Sequence, residues 1–116
     1  MLGCELLLGA ADLVARGWVQ GTDAVDANGT PVEPWSQSAV GWSLLGALVA
    51  ALQRRTPPGG PPPVGELAAA CVALVEYVDH DLLDVWNDDP HRTQADVLAA
   101  LRAAIEEARN PGHAWN

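Results

Sequence analysis

Residues 3–16 read G-C-E-L-L-L-G-A-A-D-L-V-A-R, and this stretch decides the fold class. Its apolar side chains recur at helical spacing, while the acidic Glu5 and Asp12 lie off that stripe. Gly17 follows the stretch, in the position where glycine commonly ends a helix. The stretch therefore predicts an amphipathic helix whose buried side consists of Leu6, Leu7, Ala10, Leu13 and Val14.

Three later segments have the same periodicity and predict helices over residues 38–55, 64–78 and 93–109. Ser36 or Ser38 is the expected cap of the second helix. Thr93 followed by Asp96 predicts a capping box at the last helix, which Asn110-Pro111-Gly112 would end. Gly46 within the second helix indicates close approach of a neighbouring backbone, since glycine otherwise costs helix stability.

Two segments lack helical periodicity. Asn28-Gly29 between Val25 and Val32 predicts a short β-hairpin, or an ordered loop because Pro31 weakens the second arm. Residues 56–63 read T-P-P-G-G-P-P-P and predict an exposed Pro/Gly connection. It divides the chain into two halves, and neither half is long enough to form a stable domain by itself. Residues 1–116 are therefore expected to form one mainly α-helical domain of about four helices, with a hairpin or loop after the first.

Composition and charge exclude several classes of function. The chain has 116 residues and a net charge of −9, which disfavours nucleic acid and anionic membranes and favours a cationic ligand. It contains no run long enough for a membrane span, and residues 1–11 lack the layout of a signal peptide, so we expect a cytoplasmic protein. Cys4 and Cys71 lie on apolar stripes, and we expect neither a metal site nor a cofactor.

The stretch from His80 to Thr93 is the densest group of polar side chains beside a tryptophan. As a binding site, its carboxylates would hold a cation, Asn87 would place hydrogen bonds, and Trp86 would form an apolar or cation–π wall. As a purely structural turn, the same residues would cap helices, pair charges and fill the core. Loop tryptophan Trp35 is a further candidate contact, and Gln20 is a candidate acceptor for a buried indole N–H. The candidate ligand-binding residues are Trp35, Trp86, Asn87, Asp88, His91, Arg92, Gln20 and His80.

Four segments carry a family resemblance: W-V-Q-G at 18–21, D-A-N-G-T-P-V at 26–32, W-S-L-L-G-A-L at 42–48 and W-N-D-D-P-H-R-T at 86–93. Together they resemble an uncharacterised family of small actinobacterial and phage proteins. Ser43 stands where those proteins often have cysteine, and His91 where they often have glycine. The resemblance implies kinship without an activity.

The chain is also similar in size, acidity, apparent source and lack of standard catalytic motifs to the lysinoalanine-forming proteins of cinnamycin-type lanthipeptide clusters. That similarity implies binding and orienting of a small cationic modified peptide, whose lysine amine adds to a dehydroalanine. The alternative is a non-catalytic acidic module that binds a basic protein. Whether the chain is an enzyme stays open. We expect a homodimer from Gly41, Gly46 and the apolar first helix.

Overall fold

The computed structural model describes residues 3–110, which fold into one mainly helical domain, as the sequence predicted. This part of the chain contains five helices and a two-stranded sheet, in the order α1 (Cys4–Arg16), β1 (Ala24–Val25), β2 (Gly41–Trp42), α2 (Leu44–Arg55), α3 (Val64–Val78), α4 (Leu83–Asn87) and α5 (Gln94–Arg109). The sequence predicted about four helices, and the short α4 is the additional one.

Helix α1 is the centre of the core. It packs against α2 on one side and α5 on another, with α3 also in contact. The predicted apolar stripe of α1 is fully buried, which confirms the periodicity of the opening stretch. Leucine, valine and alanine fill most of this interior.

The segment between α1 and α2 contains both strands of the sheet, and β1 pairs antiparallel with β2. The predicted Asn28-Gly29 turn is present as well: Asp26 Oδ1 accepts hydrogen bonds from the backbone N–H groups of Asn28 (2.9 Å) and Thr30 (3.0 Å). Val25 forms an isolated bridge with Pro31, so the predicted ribbon is limited to a single bridge next to the turn.

Helix α2 begins at Leu44, six positions later than predicted, and this start is a correction. Residues 41 and 42 form β2, so the chain is extended where the sequence suggested helix. The cap is Ser43, whose hydroxyl oxygen accepts a hydrogen bond from Gly46 N at 3.0 Å, whereas Ser36 and Ser38 hydrogen-bond each other within the preceding loop. Gly41 consequently belongs to the sheet and not to the helix.

The close backbone approach predicted at Gly46 is confirmed. A Cβ added there would lie 1.9 Å from Asp23 O. The loop that precedes β1 is therefore pressed against the first turn of α2, and this contact fixes the position of residues 21–23 beside the candidate site.

The predicted bounds of α3 are confirmed. Asp79 ends the helix in the left-handed conformation, with φ 55°, and the chain turns into α4. At α5 the predicted capping box is present, with Asp96 N donating to Thr93 Oγ1 and Thr93 N donating to Asp96 Oδ2. Asn110 caps the carboxyl end, while Pro111-Gly112 lie outside the described residues. Within residues 3–110, no helix has the length and apolarity needed to cross a membrane.

Candidate functional site

Asn87, at the end of α4, is the polar centre of the region that the sequence singled out. Its side chain is fully buried, and both ends of its amide are used. The oxygen Oδ1 accepts from Trp18 Nε1 at 2.7 Å and from Leu44 N at 3.0 Å. The nitrogen Nδ2 donates to Val19 O at 3.2 Å and to Asp88 Oδ1 at 3.0 Å. One amide thus ties the loop after α1, the start of α2 and α4 together.

A second set of hydrogen bonds holds the loop after α1 against the turn that follows α4. Gln20 Nε2 donates to Asn87 O at 2.9 Å and to Asp89 O at 2.7 Å. Gly21 N donates to Asp88 Oδ1 at 3.0 Å. Gln20 is therefore a donor to two carbonyls and not the acceptor for an indole, because Trp18 Nε1 bonds to Asn87 and Trp42 Nε1 donates to Pro34 O.

Trp86 and Arg92 form an internal pair on the other side of α4. The guanidinium carbon of Arg92 lies 4.0 Å from the centre of the Trp86 ring, and Arg92 Nε donates to Trp86 O at 3.0 Å. Trp86 is only 8% exposed. The ring face that the sequence offered to a ligand cation is thus covered by the protein's own cation.

Three adjoining concavities extend from the end of α3 past α4 to the loop before β1 and form what we call the acidic groove. The middle one, of about 380 Å³, includes His80, Trp86 and Arg92 in its wall. It shares His80 with a wider one of about 820 Å³ at the end of α3. It shares Asp84 and Asp88 with a small one of about 140 Å³ beside residues 21–23 and Ser43.

Carboxylates dominate the lining of the acidic groove: they belong to Asp23, Glu76, Asp79, Asp81, Asp84, Asp88 and Asp89. The guanidinium in its lining is that of Arg92, which is engaged on Trp86. Because these carboxylates lie close together in a concave surface, the acidic groove has a negative electrostatic potential.

The chemical groups of this region suit binding better than covalent catalysis. His80 Nδ1 accepts a hydrogen bond from Leu82 N at 3.0 Å, so the neutral ring carries its proton on Nε2. The half-buried Cys71 lies on α3, outside the lining of the groove, and burial raises the pKa of its thiol, which disfavours the nucleophilic thiolate. Among residues 3–110, no three His, Cys, Asp or Glu side chains are grouped to hold a metal ion.

The candidate residues predicted from the sequence separate into three groups. His80, Trp86, Asp88 and Arg92 line the acidic groove. Asn87 and Gln20 do not line the groove, but their hydrogen bonds hold the segments that do. His91 and Trp35 are not part of its lining: His91 is exposed on the turn, and Trp35 is 53% exposed in the loop before β2.

Sequence reasoning missed most of the carboxylates of the groove. Asp23, Glu76 and Asp79, together with Ser43, lie outside the polar stretch that the sequence singled out, whereas Asp81, Asp84 and Asp89 lie within that stretch but were not selected. The available signal was Gly46, because a glycine that admits a neighbouring backbone implies that some loop lies against the start of α2. The sequence did not identify that loop as the one containing Asp23.

Fold and site together define a small helical domain with an acidic concave face that is built around one buried asparagine. A family model described as a family of unknown function, DUF6197, matches residues 4–107, and the chain belongs to that family. No curated protein and no solved structure gives a significant match. Three of the four segments that carry the resemblance in the sequence, at residues 18–21, 42–48 and 86–93, meet at the side chain of Asn87.

Proposed function

We propose that this protein binds a small cationic peptide in the acidic groove. The observation that carries the proposal is the gathering of carboxylates from the loop before β1, from α3 and from α4 along the three adjoining concavities of the acidic groove, whose lining guanidinium is already engaged by Trp86. A ligand ammonium or guanidinium would therefore meet carboxylates without a competing free arginine. Open concavities of this size suit an extended chain or a compact cyclic peptide more than a deeply enclosed metabolite.

The residues of the site differ in role, and this difference supports the same function. Asn87 and Gln20 form hydrogen bonds within the protein, so they position the walls of the groove before a ligand binds. Asp81 and Asp84 are exposed, and no other side chain in residues 3–110 bonds to their carboxylates. These two residues are the ones we assign to direct contact with a cation, because they are free to change partners.

Orientation of a modified peptide for lysinoalanine formation is the catalytic form of this proposal. In that reaction, a lysine amine nitrogen bonds to the β-carbon of dehydroalanine, the nitrogen loses a proton and the α-carbon gains one. The groove would hold the amine near the alkene, so that the addition rests on orientation of the two groups. The non-catalytic form is an acidic module that occupies a basic protein partner.

Titration of lysine- and arginine-containing hexapeptides into the protein, followed by calorimetry and by amide chemical shifts, tests the binding. We expect dissociation constants that rise steeply with salt, and shifts confined to residues 75–92 and 21–23. The variant Asp81→Asn/Asp84→Asn should weaken binding about ten-fold or more. Glu106→Gln is the matched control, because it removes a charge of the same sign from α5, outside the groove lining, and should bind as the parent does.

The outcomes separate the alternatives. Equal binding by the groove variant and the control, or no peptide binding at low salt, would refute the proposal. Binding of a basic protein domain without binding of the hexapeptides would favour the non-catalytic module. For the catalytic form, a peptide containing lysine and dehydroalanine is incubated with the protein and then treated with a thiol. Because the cross-link conserves mass, loss of the thiol adduct measures it.

A further inference from the structure

Two apolar side chains are exposed among the carboxylates of the acidic groove, and we call them the apolar pair. Leu82 directly precedes α4, is 57% exposed and lines the wide concavity at the end of α3. Val85 lies in the first turn of α4, is 51% exposed and lines the middle concavity. The groove therefore has an apolar part, which the attraction of a cation to carboxylates does not use.

The apolar pair is not what anchors α4 to the rest of the protein. Leu83 and Trp86 do so, since they are only 6% and 8% exposed, together with the fully buried Asn87. The backbone of Leu82 is nevertheless held in place: its N–H donates to His80 Nδ1 at 3.0 Å, and its carbonyl accepts from Trp86 N at 3.0 Å. The pair is thus held by its backbone while about half of each side chain faces solvent.

A carboxylate accompanies each member of the apolar pair. Asp81 precedes Leu82 and lines the wide concavity with it, and Asp84 precedes Val85 and lines the middle one with it. A wholly apolar occupant would bury these carboxylates without partners, which is costly. A cation without apolar groups would leave the pair in water. The lining is complementary to a ligand that offers both kinds of group.

We propose that the ligand of the acidic groove is an amphipathic cationic peptide, in which an apolar side chain lies next to each of two basic ones. This inference rests on the peptide binding proposed above and narrows its substrate class. The basic groups pair with Asp81 and Asp84, and the apolar side chains contact Leu82 and Val85. Burial of the apolar pair then contributes a part of the affinity that salt does not screen.

Charge selects this occupant over a second copy of the chain or an anionic lipid surface. A second copy has the same net charge of −9, so the carboxylates beside the apolar pair repel it, as they repel anionic lipid. Gly41 and Gly46, which suggested a homodimer in the sequence, lie against Val19 and Asp23 of their own chain. The homodimer expected from the sequence therefore stays a prediction, and the apolar pair is not assigned to it.

Two amidated hexapeptides of equal charge test the proposal. One contains two lysines, each next to a leucine, and the other has serine in place of both leucines. We expect calorimetry to show that the leucine peptide binds about five-fold more tightly or better, because its leucines bury the apolar pair. This ratio should persist over the salt range in which both peptides bind, since screening weakens their equal charges alike.

The double variant Leu82→Ser/Val85→Ser should bring the ratio of the two affinities close to one and leave the affinity for the serine peptide nearly unchanged. Leu8→Ser/Val72→Ser is the matched control. It makes the same two substitutions at side chains that are 41% and 58% exposed on α1 and α3, outside the groove lining, and it should keep the ratio of the parent.

The outcomes distinguish failure of this inference from failure of the proposed function. Equal affinity of the parent for the two peptides, or an equal ratio in the groove variant and its control, would overturn the amphipathic class. Cation binding would still stand if Asp81→Asn/Asp84→Asn weakened binding of the serine peptide. Absence of binding by both peptides at low salt would refute both proposals. A dimer that Leu82→Ser/Val85→Ser dissociates in sedimentation, without a preference for the leucine peptide, would assign the pair to a second copy instead.

Discussion

At the scale of single residues, Asn87 explains why the segments around Trp18 and Trp86 come as a set. Its Oδ1 accepts hydrogen bonds from the partly buried indole N–H of Trp18 and from the backbone N–H of Leu44, which has no partner within its own helix. The sequence favoured a structural role for Asn87 taken singly and a binding site for the cluster to which it belongs. Because the Asn87 side chain is fully buried, it does not contact a ligand directly. It can affect ligand binding only through the residues that it positions.

Replacing Asn87 by alanine should destabilise the fold by about 3 kcal/mol or more, because the Trp18 indole N–H and Leu44 N–H lose their buried acceptor together. Urea unfolding followed by tryptophan fluorescence measures this. Asn28→Ala, in the exposed turn, is the matched control and should change the free energy of unfolding by about 0.5 kcal/mol or less. Similar losses in both variants would contradict the central role of Asn87.

At the scale of elements, helices were predictable where local signals, such as apolar periodicity or a preceding proline, defined their bounds. The apolar stripe predicted α1 correctly, and both bounds of α3 were predicted correctly because proline precedes the helix and its apolar periodicity slips near His80. The start of α2 was not predictable locally. Residues 38–43 have helix-compatible side chains, but Trp42 bonds to Gly17 and Val40 to Val25 through their backbones, and these partners are distant in sequence.

A matched pair of glycine substitutions tests the contact that places Asp23 beside α2. Gly46→Ala should destabilise the protein by about 1–3 kcal/mol, because its Cβ would overlap Asp23 O and the loop must move. Gly65→Ala, also in a helix but with no atom within 4 Å of the new Cβ, should stabilise it by up to about 1 kcal/mol. Thermal unfolding of dilute protein compares them, and a stabilising Gly46→Ala would refute the close approach.

At the scale of the whole molecule, the sequence predicted the helical class, the single domain and the sign of the charge, since each depends on sums over many residues. The sequence could not predict the groove, because its walls come from residues 21–23, Ser43 and residues 75–92, which meet only after folding. The same assembly concentrates like charges. Because like charges repel one another, this concentration of carboxylates must lower the stability of the fold.

That cost gives a last prediction, which connects function to stability. Asp81→Asn should raise the melting temperature at low salt, because it removes repulsion from Asp79 and its neighbours in the groove while no bond to its carboxylate is lost within residues 3–110. The gain should shrink as salt rises to about 0.5 M, where screening already weakens that repulsion. Glu106→Gln, which removes the same charge outside the groove lining, should give a smaller gain at low salt, as calorimetry over a salt series would show. If the two variants respond alike, the carboxylates around α4 form no concentrated field, and the groove loses the property that makes it a candidate for cation binding.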